Sequence, residues 1–355
     1  MSSAVTGILR SPQGLENPGK EEITRLLLSE GAGEESLFVH ADRTRELHVG
    51  NDVHLRGIVE FSNHCVKNCL YCGLRRENTH LERYRMTPDE IVDAARVGAR
   101  AGLKTIVLQS GEDPFYTGDA LARIIGRLKE ESGVAVTMSV GDRSRADYAL
   151  MREAGADRYL LKAETADPDL FAKLRPGTTL EGRVERLKWL KELGFQVGSG
   201  NMIGLPGQSI DSLADDILLL KEMSVGMAGI GPFIPHGHTP LAECAVGSVE
   251  MTLKTIAVAR IMLPYLHLPA TTALGSMHPE GQERALKGGA NVVMPDITPL
   301  RFKRLYEIYP HRLGSGEEGL TQSLPRVKAM IEKLGRSVAT DYGHERPPWS
   351  SDPRL

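Results

Sequence analysis

The chain has 355 residues, enough to bury a large core, with 41% hydrophobic residues, 25% charged residues and a formal net charge of −3. That balance reads as an ordinary soluble globular protein and gives no basis for a nucleic-acid or acidic-membrane partner. No run reaches ~18 apolar residues, and the N-terminal MSSAVTGILRSPQGLENPGK has no long apolar centre, so neither a membrane span nor a signal peptide is expected. Residues 1–50 carry a helix-like run, EEITRLLLSEG, and form an N-terminal helical extension. From Val53 to about Tyr309, short β-branched or apolar runs alternate with longer amphipathic stretches. The strand-like runs are VHLRGIVEF (53–61), KTIVLQSG (104–111), VAVTMSV (134–140), DRYLLKAE (157–164), QVGSGNMIG (196–204), MAGIGPFIP (227–235), LHLPATTA (266–273) and ANVVMPD (290–296). Between them, TPDEIVDAARVGARAG has the marks of a helix. Thr87 stands as N-cap, Pro88 in the first turn, Asp89 and Glu90 at the positive end of the dipole, and Gly102 at the stop. SIDSLADDILLLKEM starts in the same way from Ser209.

Eight strand-like runs, each followed by a helix-like one, predict parallel βα units. About 250 residues for eight units fits an α/β chain closed into a (β/α)8 barrel, spanning 51–312; an open doubly wound sheet is the runner-up. Residues 313–355 read as a C-terminal helix and tail, and the last stretch, ERPPWSSDPRL, as loose. No internal repeat is evident.

Four cysteines are present, and three of them, Cys65, Cys69 and Cys72, fall within FSNHCVKNCLYCGL, directly after the first strand. In a barrel that loop lies at the C-terminal face of the strands, where active sites are built. A disulfide would leave one thiol over. Structural zinc wants four ligands, and no second CxxC or nearby HxxxH completes a set. Three thiolates suit a [4Fe-4S] cluster with one iron left open to something exchangeable. Such thiols, too close to pair independently, point to a reducing cytoplasm. The distant Cys244 reads as a small buried apolar residue. His236 and His238 form an HxH that could ligate a metal but reads more readily as two loop histidines. Met202 and Met227 read as packing residues.

CxxxCxxC with an aromatic, Tyr71, before the last cysteine resembles the signature of the radical S-adenosylmethionine (SAM) superfamily. The resemblance implies that SAM binds the open iron. Gly111 and Glu112 of LQSGEDP would seat its methionine ammonium. Ser139, Glu164 and Arg183 would contact its ribose and carboxylate, and NMIGLPGQ and GIGPFIPHGHTPL, with Met202 and Ile230, its adenine. A carboxylate accepts from ribose hydroxyls, and arginine pairs a carboxylate through a two-pronged fork. YRMTPDEI, AGADRYLLKAETADPDLFAKLRPGTT, GLPGQSIDSLADDILLLKE, PATTALGS and GANVVMPDITP together resemble the HydE group of [FeFe]-hydrogenase maturases, relatives of biotin synthase and methylornithine synthase. That resemblance implies a small iron–carbonyl–cyanide–cysteine substrate, an electron donor and companion maturases as partners. Arg158, Lys162, Thr271, Thr272 and Tyr306 would face the substrate; Arg158 could equally form a barrel-bottom ion pair.

Two departures stand out. The region YPHRLGSGEEGLTQSLPRVKAM has no cysteine, so it holds no accessory cluster. The Arg-His pair frequent before the fourth-strand glutamate is Lys162 and Ala163 here, which replaces a fork by a point charge. Other readings are an amino-acid mutase of the methylornithine synthase type and a non-catalytic iron–sulfur carrier. Biotin synthase is disfavoured, because Cys244 alone cannot hold its second cluster.

Overall fold

A computed structural model describes residues 18–310 and 319–345. Two helices, α1 (Lys20–Leu27) and α2 (Ala32–Val49), precede strand β1 (Asp52–Ser62). Alternation then runs α3 (Pro88–Arg100), β2 (Thr105–Ser110), α4 (Gly118–Ser132), β3 (Ala135–Ser139), α5 (Arg145–Glu153) and β4 (Arg158–Leu160). It continues through α6 (Pro168–Leu174), α7 (Leu180–Glu192), β5 (Gln196–Ile203), α8 (Ile210–Glu222), β6 (Met227–Pro232) and α9 (Val249–Met262). The last elements are α10 (Thr272–Met277), α11 (Gly281–Lys287), β7 (Val292–Val293), α12 (Leu300–Lys303), α13 (Leu320–Lys333) and β8 (Ser337–Val338). The capping signals work as expected. Thr87 and Glu90 bond reciprocally at the start of α3, Gly102 takes φ +94° just past its end, and Ser209 caps α8.

The strands form one parallel sheet in the order β6-β5-β4-β3-β2-β1-β7. The predicted seventh strand is reduced to single bridges, Met227 to His267 and Pro269 to Val292, which close the seam between β6 and β7. The barrel expected from the sequence is therefore present with one thin stave. Thr271 and Thr272 leave that stave early, because the Thr271 hydroxyl caps α10 by accepting from the Leu274 N–H. Alternation along each strand sorts its side chains. On β1, Val53, Leu55, Val59 and Phe61 enter the apolar layer under the helices, while Arg56, Ile58 and Glu60 face the barrel interior. A register irregularity between Glu60 and Ser62 ends β1 and redirects the chain into the cysteine loop.

Helix α9 is buried on all sides, since α1 and α2 cover the face turned away from the barrel. At the opposite end of the chain, β8 pairs with β1. Beyond it, residues 341–345 run across the N-terminal end of the barrel. There Arg158 donates to the carbonyls of Tyr342 (2.7 Å) and Gly343 (2.9 Å), and Arg56 to that of Gly343 (3.2 Å). Most of the tail expected to be loose, residues 346–355, lies outside the described residues.

Candidate active site

The loop after β1 brings the three thiols together under the C-terminal rim of the sheet. Cys69 is buried, and Cys65 and Cys72 are half-buried. Cys65 Sγ accepts from the Glu112 N–H at 3.3 Å. Burial pushes its thiol up, against the pull of the Glu112 and Lys67 backbone N–H groups, and the neighbouring Cys69 adds to the rise. Cys72 is pushed up by burial and then by Cys69 and Cys65. The neighbouring sulfurs thus disfavour Cys65 and Cys72 as thiolates, a cost that cations bound among them would remove. Among the described residues no three His, Cys, Asp or Glu side chains, the three thiols included, are drawn together closely enough to form a metal site by themselves.

Two close approaches hold this loop. A Cβ on Gly111 would lie 2.2 Å from the His64 carbonyl oxygen, so only glycine lets β2 come so near the Cys65 turn. The side of the loop opposite β2 leans on α6. Leu70 N–H donates to Leu174 O (2.9 Å), and Arg175 donates to the Tyr71 hydroxyl (2.8 Å).

Next to the thiols is a polar cradle. Glu112 Oε2 accepts from the Asp142 N–H at 2.9 Å, and its Oε1 lies 3.1 Å from Lys67 Nζ. Arg183 is 3% exposed and forks onto Asp142, with N–O separations of 3.2 and 3.5 Å, so it is no solvated helix arginine. Ser139 ends β3, half-buried and level with Gln109. Glu164 has φ +69°, a left-handed conformation that costs a non-glycine residue of order 1 kcal/mol. Lys162 Nζ lies 3.0 Å from Glu164 Oε2, yet that buried oxygen accepts no hydrogen bond. Buried Nε atoms of Arg175 and Arg183 also lack partners. Unmet buried donors and an unmet acceptor side by side fit a zwitterionic, hydroxyl-bearing ligand such as SAM.

From this cradle a cavity of about 310 Å³ descends into the barrel. Tyr71, Cys72, Glu164 and Met202 border its upper part; Lys162, Thr271 and Thr272 lie on its wall; Arg56, Met227 and His267 reach it from below. Burial, followed by Arg56, holds His267 well below the usual imidazole range. The three predicted groups at the wall, Lys162, Thr271 and Thr272, are thus brought to one chamber.

Three predicted residues do not line this chamber. Of its two readings Arg158 takes the one at the barrel bottom, where carbonyls and Gln196 take its donors, and burial lowers it to about 10. Ile230 points the opposite way from its lining neighbours Gly229 and Gly231, into the apolar layer, because successive strand side chains alternate. Tyr306 is 3% exposed in the core, and Ile308 and Tyr309 line the cavity instead. Sequence reasoning missed Arg56, Glu60 and Arg175. Alternating polar residues inside VHLRGIVEF signalled the first two; nothing local signalled the third.

Residues 59–220 match the model of the radical SAM superfamily. The [FeFe] hydrogenase maturase subunit HydE of Thermotoga maritima is 51% identical over 335 residues, 93% of this chain and 96% of that protein. The chain belongs to the HydE family of radical SAM enzymes. Membership implies an iron–sulfur cluster and SAM, and the thiols and cradle fit both. Within the wider superfamily, 3-methylornithine synthase of Methanosarcina barkeri is 33% identical, covering 89% of each chain. The crystal structure of methylornithine synthase (PylB) superposes with a TM-score of 0.80 at 27% identity, over 94% of this chain and 97% of that one. No helix among the described residues is long and apolar enough to cross a membrane.

Proposed function

We propose that this HydE-family enzyme acts in building the [FeFe]-hydrogenase active site. Its [4Fe-4S] cluster would be held by Cys65, Cys69 and Cys72, and SAM by Glu112, Ser139, Glu164 and Arg183. The substrate would be a small iron–carbonyl–cyanide–cysteine complex or a related thiol compound. When bound, the reduced cluster supplies the electron that splits the C5′–S bond of SAM, chemistry outside the reach of side chains. An external electron donor and companion maturases complete the reading.

The observation that carries the proposal is the chamber that opens directly below the cradle. Its apolar walls, including Ile58, Val107 and Leu160, keep water from a reactive intermediate. Arg56 and Lys162 bring positive charge toward an anionic complex, and Thr271 and Thr272 leave the room that bulky side chains would fill. The polar cradle argues against a mere cluster carrier, which has no use for a SAM seat.

Thr272→Leu tests this directly. Added methylenes should cut formation of 5′-deoxyadenosine and of adenosylated product from the iron complex, while iron content and SAM affinity hold. Conversion of lysine to methylornithine by the wild type, or no SAM cleavage by the reduced, SAM-bound holoprotein, would refute the proposal.

A further inference from the structure

Below the cradle, on the side away from the cavity, one carboxylate is bonded to three different segments. Asp216, on α8, is 3% exposed. Its Oδ1 accepts from the Ala166 N–H at 2.5 Å, and its Oδ2 from Asn201 Nδ2 at 2.9 Å. Gln208 Nε2 approaches the same Oδ2 at 3.4 Å and donates to the Met202 carbonyl at 2.8 Å. The three donors belong to the exit of β4, the body of β5 and the loop that follows β5.

These segments frame Glu164. Its N–H donates to Gly200 O (2.9 Å), its carbonyl accepts from the Met202 N–H (3.0 Å), and it bridges to Asn201. One residue earlier, Ala163 N–H is taken by the Ser199 hydroxyl (3.2 Å). Glu164 itself is left-handed, a conformation that persists only where its surroundings over-determine it. Backbone bonds hold the peptides on both sides of Glu164. The next anchors along the chain, the Thr165 hydroxyl and the Ala166 N–H, are both received by Asp216. Removing that acceptor would leave a buried N–H unpaired and let the Glu164–Ala166 turn relax toward an ordinary φ.

We propose that Asp216 is a positioning residue that holds Glu164 in its left-handed conformation, with its carboxylate turned to the SAM ribose. The proposal rests on the reading of Glu164 as a SAM contact. Asp216 touches no ligand. It acts by fixing a turn on β4 to a strand and a helix that carry none of the cysteines.

A double-mutant cycle separates the two claims. SAM affinity is measured by calorimetry on the anaerobically reconstituted holoprotein at about pH 8 for wild type, Glu164→Ala, Asp216→Ala and the double variant. Glu164→Ala should weaken SAM binding; if it does not, the seat itself is misread. Asp216→Ala, which removes the acceptor, should weaken binding about tenfold in the wild-type background, the scale on which outer-shell partners act. In the Glu164→Ala background it should have almost no further effect, since residues acting through one another are non-additive. An Asp216→Ala effect of equal size in both backgrounds, or a lowered melting temperature with unchanged SAM affinity, marks Asp216 as a general structural carboxylate and overturns the proposal. Asp216→Asn keeps an oxygen for the Ala166 N–H and can donate to the unpartnered Asn201 Oδ1 once that amide turns over, so it should hold most of the affinity; a loss as large as that of Asp216→Ala overturns the role given to the acceptor. If Asp216→Ala fails to fold, Asp216→Glu, which keeps the charge and shifts the oxygens by one methylene, is run in the same cycle. Failure of both to fold while Glu164→Ala folds would place Asp216 in the fold alone and also overturn the proposal.

Discussion

Gly111→Ala should damage the cluster site without touching any cysteine. The new Cβ would sit 2.2 Å from the His64 carbonyl oxygen and 2.9 Å from Cys65 Cβ, where ordinary contact begins near 3.4 Å. Since the obstacle is backbone, no rotamer change relieves it, and the Cys65 turn must retreat by about 1 Å. Such overpacking costs typically about 1–3 kcal/mol. The retreat also stretches the 3.3 Å bond from Glu112 N–H to Cys65 Sγ past useful length. Anaerobic reconstitution should therefore yield clearly less than the roughly four irons per chain expected for the wild type. The melting temperature should fall by roughly 2–6 °C. Gly126→Ala is the control: it sits in α4 with nothing within 4 Å of the added carbon, and alanine there should leave iron loading intact and add about 0.5–1 kcal/mol. If Gly111→Ala loads iron and melts like the wild type, the close approach of β2 to the cysteine turn is not what shapes the site.

Cys65→Ala, Cys69→Ala and Cys72→Ala made together should abolish iron loading, whereas Cys244→Ala should leave it unchanged; a second cluster in the wild type would contradict this. Arg183→Lys should weaken SAM binding by about ten- to a hundred-fold, because lysine cannot keep the two-pronged hold on Asp142 and also offer the unpartnered Nε donor to SAM, and one charge-assisted hydrogen bond is worth roughly 1.5–3 kcal/mol; calorimetry with an unaltered affinity would sink the assignment. Burial raises Asp216 to about 7, opposed by the bonds from Ala166, Asn201 and Thr165. The folded state therefore holds a proton that the unfolded state has lost, so stability falls as pH rises from about 4 through 7, by up to about 4 kcal/mol. Denaturant unfolding across that window should show a steeper decline for the wild type than for Asp216→Asn, and parallel curves would refute it.

Local rules read well. Thr87, Glu90 and Ser209 satisfy helix ends within a few residues of themselves, and the three cysteines share one loop, so both were legible along the chain. The strands were legible too, but their facing was used too little. Period-two alternation in VHLRGIVEF already separates Arg56 and Glu60 from Val53, Leu55 and Val59, and on β6 it turns Ile230 away from the chamber. What stayed hidden depends on contacts between distant positions. Arg175 reaches Tyr71 across 104 residues, and Arg158 finds its carbonyls 184 and 185 residues away. An arginine in a strand looks the same in sequence whether it serves a ligand or the floor.

That floor also sets an order of assembly. Arg56 is made early, and the Gly343 carbonyl that receives it comes 287 residues later. At about 5–20 residues per second, translation takes roughly 15–60 s to cover that distance. Every cysteine and every residue of the cradle is synthesised within that interval, and until it ends the barrel has no base and its interior is open to water from below. A message truncated just short of residue 341 would encode the complete active-site constellation in a vessel without a bottom. The final residues of the described chain thus act as a seal on chemistry encoded long before them.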